Sequence, residues 1–176
     1  MVLQALILAA ALGAGPATPT PPDAPITRKN WTAHPKIAAI RALVEKNEEA
    51  IKAGKYKNQR RVDCELEGAG SETESIDRDA AGVIRKYVHE VGGDDSVYQA
   101  EAHYDEQGRL RFVFARRGAA PTNSSGEFRI YFGEDGKKLW TDLREKGPGY
   151  TWVKDFPERW LEKDPERAWK NPPPCE

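Results

Sequence analysis

The chain has 176 residues, 31% of them charged, and a formal net charge of −1. This length suits one domain with loose ends. Charges so evenly balanced supply neither the basic footprint of a nucleic-acid binder nor a polybasic membrane patch, so both classes of partner are disfavoured.

The first stretch, MVLQALILAAALGAGPATPTPPDAP, departs from the rest. Val2 to Leu12 is an apolar run too short to span a bilayer, followed by small residues and then Pro and Thr. That is the pattern of a secretory leader cleaved near Gly13 to Ala17, although no Lys or Arg precedes Arg28. Residues 1–17 are read as a signal peptide, 18–30 as a proline-rich spacer outside the fold, and 31–176 as a single α+β domain. The expected location is periplasmic or secreted, with no integral membrane span in the mature chain.

TAHPKIAAIRALVEKNEEAIKAGKY reads as an amphipathic helix. Ile37, Ile40, Leu43, Val44 and Ile51 recur at helical spacing, and Lys36, Arg41, Glu45, Glu48 and Lys52 hold the other face. Thr32 or a neighbour caps its start, Pro35 lies in the first turn, and Gly54 lies just past the end.

Segments near 59–67, 72–78, 83–91, 96–104, 109–117, 127–132 and 137–143 then carry strand composition or alternation. Three turns share one grammar: DRDAAGVIRKY, YDEQGRLRFVF and FGEDGKKLWTD place Gly82, Gly108 and Gly136 where a type I turn plus bulge needs a positive φ. For the middle hairpin this sets Asp105 against Arg109 and Tyr104 against Leu110. Beyond the loop this register sets Ala102 against Phe112 and Ala100 against Phe114 on one apolar face, whereas without the glycine bulge they would meet Arg111 and Val113 and split the apolar set.

The two cysteines are Cys64, whose alternation with charged neighbours points it inward, and Cys175 near the C-terminus. In an exported chain an even count favours a Cys64–Cys175 disulfide. The closing DFPERWLEKDPERAWKNPPPCE carries two helix-start signals, at Asp155 and Asp164, so two short helices or turns are expected. Trp160, Leu161 and Trp169 would cover a sheet edge.

Candidate chemistry is sparse. In the alternating register His89 faces Tyr98 and His103 faces Ile84 on opposite faces, and with His34 on the helix start no metal site is expected. Asp77, Asp79 and Gly82 match part of a calcium loop, but Ala81 and Val88 stand at ligand positions, so a turn is the better reading. No nucleophile elbow accompanies the serines, and GGDDS carries acids that would repel phosphate. No cofactor and no catalytic residue are assigned, and the chain is not expected to be an enzyme. Arg85, Tyr87, His89, Tyr98 and Arg116 form a ligand-binding candidate, a partly aromatic and partly cationic concave sheet face. Polar tips at a sheet rim would look similar.

The architecture expected is α+β, a curved antiparallel β-meander packed on one long N-terminal helix, with short C-terminal helices. It resembles helix-on-sheet folds of the cystatin-like or NTF2-like kind, and such a likeness carries no function. The functional expectation is an exported small binding or inhibitor-type module with a protein or small-molecule partner. The alternatives are a ligand-sequestering or hydrolase-like pocket protein using the concave face, and a structural envelope protein.

Overall fold

The computed structural model describes residues 21–66, 70–93, 95–147 and 161–172, with backbone alone over 63–66. A 3-10 turn, Trp31–Ala33, leads into α1, Pro35–Lys52. The strands follow as β1 Lys57–Leu66, β2 Gly70–Arg78, β3 Ile84–Gly92, β4 Ser96–Tyr104, β5 Leu110–Ala119, β6 Ser124–Phe132 and β7 Lys138–Lys146. A short α2, Pro165–Lys170, comes last. The strands build one curved open antiparallel sheet in chain order, the α+β meander the sequence predicts.

The cap of α1 is His34 rather than Thr32. Its Nδ1 accepts from the Lys36 amide at 3.3 Å, and its Nε2 meets the Ala24 carbonyl at 3.0 Å. The ring thus does the work of a capping side-chain oxygen. It also draws in part of the expected spacer, because Ile26 packs against the cluster beneath the helix.

The three even-numbered hairpins are built alike. Gly82, Gly108 and Gly136 have φ of 84°, 74° and 73°, and each glycine amide donates to the residue three before it. In two of the loops an aspartate fixes the turn: Asp79 accepts from the amides of Ala81 and Val83, and Asp105 from those of Gln107 and Arg109. Tyr104 does pair with Leu110.

Beyond that pair the register departs from the one expected, and Ala102 and Ala100 do not face Phe112 and Phe114. His103 pairs with Phe112, Ala102 with Val113, and Ala100 with Ala115, so Arg111 is an inserted bulge residue. The same insertion falls at Arg85 between Ile84 and Lys86, and at Leu139 between Lys138 and Trp140. A bulge places two residues opposite one and reverses the phase of everything after it. Phe112 and Phe114 therefore leave the face on which the expected register would put them.

The sheet consequently has two differently covered faces. One carries the larger core, with Ile76, Tyr87, Tyr104, Val113, Ile130 and Phe132 each at most 2% exposed. It is covered by a strap, the C-terminal segment 161–171, whose Leu161 enters the core while Ala168 and Trp169 pack on it. Leu161 and Trp169 thus cover a face rather than an edge. Trp160, the expected helix at Asp155 and Cys175 lie outside the described residues, as do the side chain of Cys64 and residues 1–20. Asp164 caps α2 by accepting from the Arg167 amide at 3.0 Å, as its position predicts.

The opposite face carries α1. Ile37 and Ile40 pack with Tyr131, Phe112, Leu139, Trp140 and Trp31. The same helical stripe continues through a fully buried Asn47, whose amide donates at 3.2 Å to the carbonyls of both Arg85 and Tyr104. These carbonyls lie where the bulges interrupt the ladder, and a buried carbonyl needs a donor from somewhere. In the next hairpin Arg111 does the same for the Phe132 carbonyl at 3.2 Å.

Candidate functional site

The five residues anticipated as a binding face divide between the two sides of the sheet. Tyr87, His89 and Tyr98 stand on the strap-covered face, in a register that pairs Tyr87 with Ala102, His89 with Ala100 and Val91 with Tyr98. Arg85 does not join them. It is the bulge residue of its hairpin, its side chain 3% exposed and bound to Asn47 at 3.3 Å and Asp79 at 3.5 Å. Arg116 is exposed on the other face, opposite Gln99 and Glu127, because the Arg111 bulge reversed its phase. Arg117, which pairs with Tyr98, takes the position expected for Arg116.

Around the three that do meet, β1 and β2 contribute charges that sequence reasoning left out. Arg61 pairs in register with Glu74 and forms an ion pair with it. The Arg61 guanidinium lies 4.3 Å from the Trp169 ring centroid and donates to the Trp169 carbonyl. Tyr87 stands edge-on to Trp169 at 6.5 Å. His89 bonds Glu72 at 2.5 Å and stands edge-on to Tyr98, ring centroids 6.1 Å apart. The strap adds Glu162, whose carbonyl accepts from the Tyr104 hydroxyl at 2.6 Å. The signal for this cluster was alternation through GSETESIDR, which puts Glu72, Glu74 and Ile76 on one face. It could be used only once the strand pairing was known.

The electrostatics follow from burying acids together. Burial, and then the neighbouring Glu74, push the Glu162 carboxyl above its usual range, with His89 opposing. Burial and Glu74 likewise push the Tyr87 hydroxyl up, and burial and Glu162 push up that of Tyr98. Tyr87 at 1% exposure and Glu74 at 4% are sealed beneath the strap. Acid, base and phenol thus stand close together, but the inner part of the group is out of reach of a substrate. His89 and Glu72, about a fifth exposed, form its rim.

A second charged cluster lies where α1 crosses the sheet. Glu48 of α1 and Glu101 of β4 hold the Lys86 ammonium at 2.7 and 2.8 Å. His103, 2% exposed, completes the group. Burial and the Lys86 charge push its imidazole pKa down to about 3, so the ring is neutral. His103 pairs with Lys86 rather than Ile84, and His89 and His103 do lie on opposite faces. Metal-ligand reasoning looked for a second histidine, whereas the nearby donors are carboxylates.

Among the open clefts at the surface of the described residues, two lie at opposite ends of the strands. One of about 360 Å³ sits between α1 and the β4–β5 loop. Its charges are matched, Lys46 to Glu106 at 2.8 Å and Arg109 to Asp105 at 2.7 Å. The other, about 440 Å³, is lined by short and polar side chains such as Ser96, Asn123 and Ser124. Among the described residues no helix is long and apolar enough to cross a membrane. Compared with known proteins, the chain matches no family model, no curated protein and no solved structure.

Proposed function

We propose that the chain is an exported, non-catalytic module that binds another protein. The observation that carries this reading is the strap. The face on which a pocket protein would hold its ligand is filled by Leu161 and Trp169, and Ile76, Tyr87 and Glu74 beneath them are no more than 4% exposed. The pocket alternative loses its cavity there, and the sealed acids lose access to a substrate.

On the face that carries α1, part of the sheet lies beyond the helix and is exposed. It carries Val62 at 57% and Val97 at 40% exposure, together with Arg116, whose neighbour across the ladder is Glu127. An exposed sheet face with isolated apolar residues among charges suits a polar, non-obligate protein contact. The leader-like N-terminus supports an extracytoplasmic setting.

The mature protein, immobilised and exposed to envelope extract, should retain a partner that Val97→Glu and Arg116→Glu release and His89→Ala leaves bound. Native mass spectrometry of the purified protein tests the pocket alternative. A bound small molecule that is lost in His89→Ala or Tyr98→Ala would overturn the proposal. N-terminal sequencing of the native protein should find a start between Gly13 and Thr20, and an intact Met1 on a cytosolic product would refute export.

A further inference from the structure

The cluster around Lys86 is difficult to explain by packing alone. His103 is buried against Phe112, ring centroids 6.0 Å apart, a contact that a phenyl side chain would make equally well. Instead the site holds an imidazole whose Nδ1 has no hydrogen-bond partner among the described residues. Its Nε2 faces Glu48 Oε1 at 3.6 Å, too far for a hydrogen bond. Leaving such a group unsatisfied costs stability. Glu101 and His103, two apart on β4, project to the same side of the sheet, and Glu48 descends on them from α1. One ligand atom from each of the three lies within 4.8 Å of the others.

We infer that Glu48, Glu101 and His103 form a site for a divalent transition metal, with the Lys86 ammonium as the cation that occupies it when metal is scarce. One neutral imidazole and two carboxylates are a donor set for zinc or manganese rather than for magnesium or calcium, which prefer oxygen alone. Two carboxylates neutralise the ion, just as they now embrace the ammonium. Atoms bound at about 2.0–2.2 Å to one ion lie roughly 3–4 Å apart, and Glu48 Oε1 is already 3.6 Å from His103 Nε2, so closure needs only a modest shift within the group. Its side chain is 46% exposed and also provides the entry path. The flexible Lys86 stem lets the ammonium move out toward solvent. Since Glu48 belongs to α1 and the other ligands to β4, a bound ion would fasten the helix to the sheet and stabilise the native state.

Cobalt(II), added to the purified wild-type protein and followed by its visible absorption, is the direct probe, and zinc should displace it. Zinc should also raise the melting temperature of the wild type. Glu101→Gln and His103→Ala should each weaken binding at least about tenfold, while Lys86→Met should strengthen it. Should a ligand variant fail to fold, cobalt broadening of wild-type ring resonances decides: His103 is expected to broaden, and His34 and His89 to stay sharp. The inference is overturned if the wild type shows neither a cobalt spectrum nor a zinc-dependent melting shift. Broadening at His89 or His34 instead, or unchanged binding in both ligand variants, overturns it too. Binding confined to Lys86→Met would make Lys86 the permanent cation and overturn it for the natural chain.

Discussion

Asn47 is the side chain through which the helix reads the sheet. Its amide serves the carbonyls of Arg85 and Tyr104, and its oxygen receives Arg85 Nη2 and the Tyr56 hydroxyl, both at 3.3 Å. Asn47→Leu keeps roughly the volume and strands these partners, so it should cost about 2–4 kcal/mol in chemical denaturation, the order expected for several unsatisfied buried groups. A loss below experimental error would mean that water reaches the bulges. Gly108 tests the backbone instead. A Cβ built there meets only Val83 Cγ1 at 3.8 Å, so space is free, but φ is +74°. Gly108→Val should therefore lose about 1–3 kcal/mol from backbone strain alone. Gln107→Ala, at a tolerant and exposed turn position, should be close to neutral. Equal melting temperatures for the two would reject the turn.

At the scale of elements, the strap is held by mixed forces. Leu161 and Trp169 bury apolar surface, Arg78 grips Glu166 through both carboxylate oxygens, and Tyr104 fixes the Glu162 carbonyl. Against these stands the Glu162 carboxyl, facing Glu74 of β2, with Tyr87 and His89 of β3 and Tyr98 of β4 around it. Its pKa is raised in the folded state, so its contribution is fully present below the unfolded value near 4.5 and is lost as pH rises through the raised value. Glu162→Gln should match the wild type in acid and melt higher at neutral pH. Parallel melting curves at all pH values would show that Glu162 carries no such penalty. How legible these elements were depended on range. The helix, the strands and the glycine loops were readable because they rest on local periodicity and positive φ. The bulges at Arg85, Arg111 and Leu139 were not. An inserted residue leaves no mark in a sequence until its partner strand is known, and alternation carried through it sent Arg85, Arg116 and the two phenylalanines to the wrong faces. Asn47 was missed because a polar residue on an apolar stripe looks like a gap in the pattern. Glu72 and Glu74 were missed because acids in a strand look like its wet side.

For the whole molecule, the contact between Arg61 and Trp169 returns the end of the described chain to β1, across 108 positions of sequence. Cys64 is three residues from Arg61, and Cys175 is six from Trp169, a reach of up to about 20 Å for extended chain. The proposed Cys64–Cys175 disulfide is therefore within span. Alkylation of the unreduced, natively exported protein under denaturing conditions should modify neither cysteine, and reduction should lower the melting temperature. Two alkylated thiols before reduction would dispose of the bridge. The strand order has a consequence of another kind. Because each strand pairs only with its neighbours in the chain, sheet formation demands a succession of short loop closures, each entropically mild. The strap must close far longer separations, from 58 positions at Tyr104 to 108 at Arg61. Refolding should then divide in time, with hairpins zipping early and the strap arriving last. During that interval the larger core lies open along one face, and how long it stays open sets the exposure of the newly folded sheet to aggregation.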